Sequence, residues 1–466
     1  MFRRLSLLLA CVLLAACAGP LSRATPTSVP AAPTEVAAIA PSATAAAPEP
    51  TATLVPTETV TTEPETTNEP TSQPEATSEP ETTAETEATA EATAEPAAGA
   101  VDDPAIVAAA MPEERDQIAL AEAFKGTGDL PEVARTTPLD VQVGNVESFW
   151  VGDIIDDTNY LVTATLRYAG PVVLMYVDNE MEVEQEDIER SARTFENEIY
   201  PRDRELFGEE RSPGIDGDPR LTILNTAVRG AGGYFSSADA VVKAVNRFSN
   251  EREMFVIGID GFPLGTEAYA STLAHEFQHM IQHNQGTHNP TWFNEGMSTL
   301  AEDLNGYVDH GTVALYLAEP DLQLTTWSSD AAQTGEHYGL SQLFMRYFHE
   351  QYAGDEGLSE LITTSAGNNP DLFAQMAARK RPDIKSFADL YGDWAVANVL
   401  NQPDLADGRY AYKLLPGPAA LTELQSGRVI TTVSQFGTDY LGVLRGPLSL
   451  RFDGEETVGL TAAQPA

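Results

Sequence analysis

The chain has 466 residues, room for two or three domains with substantial cores. Asp and Glu number 70 against 27 Lys and Arg, a formal net charge of −43. That excess continues past the Glu-rich low-complexity stretch, and it argues against nucleic acid or anionic membrane surfaces as partners while favouring solubility outside the cell.

Residues 1–17 read as a lipoprotein signal peptide. Arg3 and Arg4 precede a short apolar run, and Leu14-Ala15-Ala16-Cys17 resembles the bacterial lipobox. Cleavage before Cys17 would leave it to carry a lipid anchor; the alternative is an ordinary cleaved signal peptide. Cys11, the other of the two cysteines, would be discarded, so the mature protein has no disulfide and depends on packing. The expected location is extracytoplasmic, at the cell surface or secreted. Residues 18–110 are almost wholly Ala, Thr, Pro, Glu and Ser. Such a segment buries too little apolar surface to offset its chain entropy and is expected to be a disordered linker. A short helical pattern runs from Ile118 to Phe124.

The catalytic domain is expected over 137–403. Residues 160–167 and 172–177 read as strands of a hairpin around Ala169-Gly170-Pro171. Ile188, Ala192, Phe195 and Ile199 recur at helical spacing, with Pro201 expected to end that helix. Segments 221–225 and 254–259 are further strands, and 230–235 with 254–257 are candidates for a sheet edge that pairs with extended substrate. Asp216-Gly217-Asp218 raises calcium, but a polar turn is the preferred reading.

Residues 272–304 carry the chemistry. His275, Glu276 and His279 form the pattern His-Glu-x-x-His, which sets two imidazoles on one helical face with a carboxylate beside them. Leu273, Phe277, Met280 and Ile281 fall mostly on the core side. A turn at Asn289-Pro290 leads to a second helix from about Thr291 to Leu304. The short loop makes the two helices antiparallel neighbours and returns Glu295 to the His pair as third ligand of a Zn2+ ion. An open fourth position would serve catalysis. Glu302, on the same face, is placed to orient a ligating imidazole, with Asp303 the weaker candidate. His283 reads as a surface or supporting residue rather than a ligand. A metzincin pattern would need Gly at 282 and His at 285, where this chain has Gln282 and Gln285.

The segments HEFQHMIQHN and TWFNEGMSTLAEDL resemble the gluzincin zinc metallopeptidases, most closely the bacterial hyicolysin family. Outer blocks such as GGYFSSAD and HYGLSQLFMRYF extend the likeness over about residues 140–400. The resemblance implies one zinc held by two His and one Glu, peptide-bond hydrolysis with Glu276 as general base, and protein or peptide substrates. It also implies an α+β fold, with a β-rich N-terminal lobe leading into a mainly helical one. Gluzincins supply a His or Tyr from the helical lobe to the oxyanion, which makes His337 or Tyr338 the candidate, at the start of an amphipathic helix over 338–352. The run Arg379-Lys380-Arg381 reads as a solvated helix end. Residues 404–466 turn β-like at 429–433, 440–444 and 448–452 and are expected to form a small β-rich domain. The rival readings are a zinc-containing surface adhesin without peptidase activity and a zinc hydrolase acting on a non-peptide bond.

Overall fold

In the computed structural model, residues 117–126, 128–285, 289–330, 333–423 and 431–442 are described. The signal peptide, Cys17, the whole 18–110 linker and the strand expected at 448–452 lie outside them. The expected short helix forms as α1 (Gln117–Lys125), whose Ala121 packs on Ile215, Val242 and Val245.

A six-stranded sheet comes first: β1 (Val146–Asp153), β2 (Thr158–Ala169), β3 (Val173–Asp178), β4 (Leu221–Thr226), β5 (Gly233–Phe235) and β6 (Met254–Gly258). Its spatial order is β1-β2-β3-β4-β6-β5. β1–β2, β2–β3 and β5–β6 are antiparallel, while β3–β4 and β4–β6 are parallel. Every residue of β3, β4 and β6 is buried, the mark of strands covered on both faces. Alternate side chains serve two cores. Val173, Met175, Ile223, Phe255 and Ile257 face the helices, whereas Leu174, Tyr176, Leu224 and Val256 meet Phe149, Val151, Val162 and Leu166. The second core closes because the sheet curls. Along β1, the Gly152 amide donates to the Tyr234 hydroxyl (2.8 Å), Trp150 exchanges backbone bonds with the Asn250 side chain, and the Ile154 amide donates to the Arg229 carbonyl. An otherwise bare sheet edge is thereby covered.

The hairpin and the strands at 221 and 254 stand as expected from the sequence, and β1 is an addition. The edge expectation is half corrected: β5 ends the sheet, but β6 is interior, between β4 and β5. Pro201 does not end its helix either. α2 (Gln185–Thr194) passes through a π turn (Phe195–Ile199) straight into α3 (Tyr200–Phe207), with Pro201 in the first turn of α3. The wider π turn delivers Phe195 and Tyr200 together onto Phe277. The Asp218 carboxylate is consumed by the Leu139 amide and the Arg220 amide and guanidinium, so 216–218 is a structural turn.

The helical part follows: α4 (Glu267–Asn284), α5 (Thr291–Leu304), α6 (Gly311–Ala318), α7 (Thr334–Phe348), α8 (Leu358–Thr363), α9 (Asp371–Lys380) and α10 (Phe387–Leu400). Thr266 caps α4 by accepting from the Tyr269 amide, and the Tyr269 hydroxyl donates to Asn225 of β4 at 2.6 Å. α5 and α7 meet at Gly296, where a Cβ would come within 2.9 Å of Met345. At Gly339 a Cβ would lie 2.0 Å from the Thr312 carbonyl, so only glycine lets α6 and α7 approach this closely.

The described residues after 403 join the helical core. Tyr412 and Ala419 are buried in it, Phe436 packs edge-on against Phe387, and the Tyr440 hydroxyl donates to the Ala395 carbonyl. Their only strands among the described residues are β7 (Thr422–Glu423) and β8 (Leu441–Gly442), and 431–433 is not strand. The class is mixed α and β.

Candidate metal centre

α4 is amphipathic in an unusual sense: both its faces are buried. Leu273, Phe277, Met280 and Ile281 enter the core, while His275, Glu276 and His279 face α5 and β5 at 0–3 % exposure. α5 returns antiparallel and sets Glu295 opposite the imidazoles. Glu295 Oε2 lies 3.3 Å from His275 Nε2 and 3.5 Å from His279 Nε2, and the rings are 4.7 Å apart between centroids. Among the described residues, this is the one group of three such side chains whose donor atoms converge closely enough to share a metal ion.

The donor set fits zinc. Ligand atoms about 2.0–2.1 Å from a tetrahedral ion stand roughly 3.3–3.4 Å from each other, and both measured separations to Glu295 are of that size. Orphaned atoms point the same way: His275 Nε2 and Glu295 Oε2 are buried without a hydrogen-bond partner, as is Glu276 Oε1. Leaving such groups unmatched is costly.

Electrostatics agree. Burial works against charge on His275, yet the Glu295 and Glu302 carboxylates hold its pKa well above the ordinary imidazole value. Burial alone would raise Glu295, but the two imidazoles hold it below the usual carboxylate range. The metal-free triad thus gathers protons around its carboxylate, in the place where ligand atoms would gather a cation. Glu276 is pushed up by burial and by Glu295, against the pull of His275 and His279.

The supporting contacts give each imidazole its own partner. His275 Nδ1 donates to Glu302 Oε1 at 2.7 Å, and the Ser271 hydroxyl donates to the other oxygen of Glu302. An Nδ1–H tautomer leaves Nε2 turned to the shared focus. Asp303, the weaker candidate, is turned away into a buried pair with Arg346 of α7. His279 Nδ1 lies 3.0 Å from Ser298 Oγ. Ser298 is one helical turn past Glu295, a spacing that would have marked it. The Phe235 amide of β5 donates to Glu276 Oε2 at 2.8 Å, a contact set by sheet register that no local pattern announces.

His337 and Tyr338 sit inside the first two turns of α7, and the structure separates them. The Tyr338 ring lies 6.4 Å from that of His275, whereas the His337 ring packs on Trp327 and bonds the Thr326 backbone. Trp327 also meets Tyr338 edge-on at 4.9 Å. His283 is exposed, its ring 5.5 Å from Phe235, and it is outside the triad.

No family model matches the chain. Over 303 residues it is 25% identical to the neutral metalloprotease ShpI of Staphylococcus hyicus, a span of 59% of this chain and 67% of that protein. The chain is therefore distantly similar to a metalloprotease, and its buried His–His–Glu group fits a metal ion.

Proposed function

We propose that the protein is a zinc-dependent endopeptidase of gluzincin type, held at the cell surface through Cys17 or secreted. The observation that carries this reading is the convergence of His275, His279 and Glu295 with the orphaned oxygen of Glu276 beside them. The metalloprotease likeness supports it.

His275, His279 and Glu295 would hold the zinc. When bound, the ion supplies a Lewis acid that acidifies water and polarises the peptide carbonyl. Glu276 takes the proton from the attacking water on Oε1, while Oε2 stays anchored to the Phe235 amide, and then delivers that proton to the leaving amine. Tyr338, over the His275 side of the site, donates to the developing oxyanion, with His337 the second candidate.

The test is digestion of a peptide library, read by mass spectrometry, with and without a chelator. Wild-type protein should cleave, chelation should abolish cleavage, and Glu276→Gln should retain zinc but lose about 10²–10⁴-fold in turnover. Full activity in metal-loaded Glu276→Gln protein overturns the base assignment. Zinc binding without cleavage favours the adhesin reading.

A further inference from the structure

The two imidazoles are oriented by unlike means, a carboxylate on His275 and a hydroxyl on His279. Behind that hydroxyl stands a chain of neutral side chains. Ser298 Oγ donates to Gln278 Oε1, Gln278 Nε2 donates to Gln282 Oε1 at 3.1 Å, and Gln282 Nε2 donates to Asn294 Oδ1 at 2.6 Å. All four residues are buried. Asn294 immediately precedes Glu295, so the chain starts at one proposed ligand and ends beside another.

Counting protons gives the chain a direction. A serine hydroxyl has one hydrogen. Its neighbours Gln278 Oε1 and the Asn294 carbonyl, 3.2 Å away, can only accept. The serine proton is therefore spent on that side, and the contact with His279 must be donated by Nδ1–H. In the neutral ring that proton position makes Nε2, which faces the His275–Glu295 focus, the ligating nitrogen. We propose that Ser298, backed by Gln278, Gln282 and Asn294, is a positioning residue that fixes His279 in the Nδ1–H tautomer for metal ligation. This inference rests on His279 being a ligand. Successive links polarise one another in the same sense. The network also stitches α4 to α5 at the level of the triad, so ligand orientation and helix packing are set by the same bonds.

The test measures zinc affinity by competition with a chromophoric chelator for wild type, Ser298→Ala and Ser298→Thr, beside the melting of each metal-free form. Ser298→Ala should bind zinc about 10–100-fold more weakly, and Ser298→Thr, which keeps the hydroxyl, should recover most of that loss. Long-range 1H–15N spectra of zinc-loaded wild type should show His279 with its proton on Nδ1 and the metal on Nε2, and this holds as a test even if a variant fails to fold. Equal affinities in folded Ser298→Ala and wild type, or metal on Nδ1 of His279, overturn the inference and leave the metal reading standing. Absence of stoichiometric zinc binding by the wild type overturns both.

Discussion

Glu276 holds its two carboxylate oxygens in different surroundings: one is tied to the Phe235 amide, the other is buried without a partner beside the imidazoles. An oriented base needs a donor on the far side of the reacting carbonyl, and Tyr338 and His337 differ in fitness for that part. Burial lowers the pKa of His337 and keeps it neutral, and its ring is already bonded to the Thr326 backbone. Tyr338 presents its ring to His275. Losing an oxyanion donor typically lowers kcat about 10²–10³-fold. Tyr338→Phe should therefore lose kcat on that order, with KM little changed and one zinc per chain retained. Steady-state kinetics on a cleaved peptide, with zinc content measured in parallel, checks this; an unchanged kcat transfers the role to His337. The pair at 337–338 was visible as a pair in the sequence, but choosing between neighbours a hundred degrees apart on a helix requires knowing which face α5 and Trp327 cover.

At the scale of elements, the site depends on how α5 lies against α4 and α7. Gly296 lets α7 close in, and behind it Arg346 and Asp303 form a pair whose side chains are 2 % and 4 % exposed. Gln342 also donates to Asp303, and Arg346 Nη1 reaches the Leu414 carbonyl at 2.8 Å. Removing one partner of a buried pair strands the other and costs about 3–5 kcal/mol. Arg346→Met should destabilise by that amount, read as a lower midpoint in urea unfolding of the metal-free protein; a loss under 1 kcal/mol would show that Asp303 takes up a proton instead. None of this network was legible in the sequence, because its members are far apart in the chain. By contrast, α4 and α5 were legible, since their periodicity, the Asn289-Pro290 turn and the His–Glu–His spacing are all local. Pro201 misled for the same reason: locally it stops a helix, yet after a π turn α3 carries it in its first turn. Arg381 misled too. Its guanidinium bonds Asp407 and Gln351, pinning the segment after 403 rather than facing water.

Over the whole molecule, the acidity inferred from composition is partly interior. Asp239, buried and accepting from the Asn250 amide and side chain, is pushed by burial up to about 7, and Glu253, beside Asp216 and Glu210, likewise to about 7. Composition counts such groups as surface charge, and only the fold reveals which of them are enclosed. The sign of their effect follows from proton occupancy. Between about pH 4 and 7 the native state keeps protons on these carboxyls that the unfolded chain has released, so stability falls as pH rises through that window. At about 1.4 kcal/mol per unit, moving Asp239 from 3.8 to about 7 caps its share at roughly 4 kcal/mol. His337, kept neutral by burial, works the other way below its ordinary value of 6.5. Glu295 and Asp407, both held low, act only at more acid pH. The metal-free protein should accordingly melt higher at pH 5.5 than at pH 8. A general relief of self-repulsion in so acidic a chain gives the same trend, so the discriminating variant is Asp239→Asn. Its amide oxygen can still accept from Asn250 but carries no charge at any pH. Calorimetric melts across this range should show a shallower decline for Asp239→Asn than for wild type. Parallel curves would show that this buried carboxyl contributes none of the pH dependence.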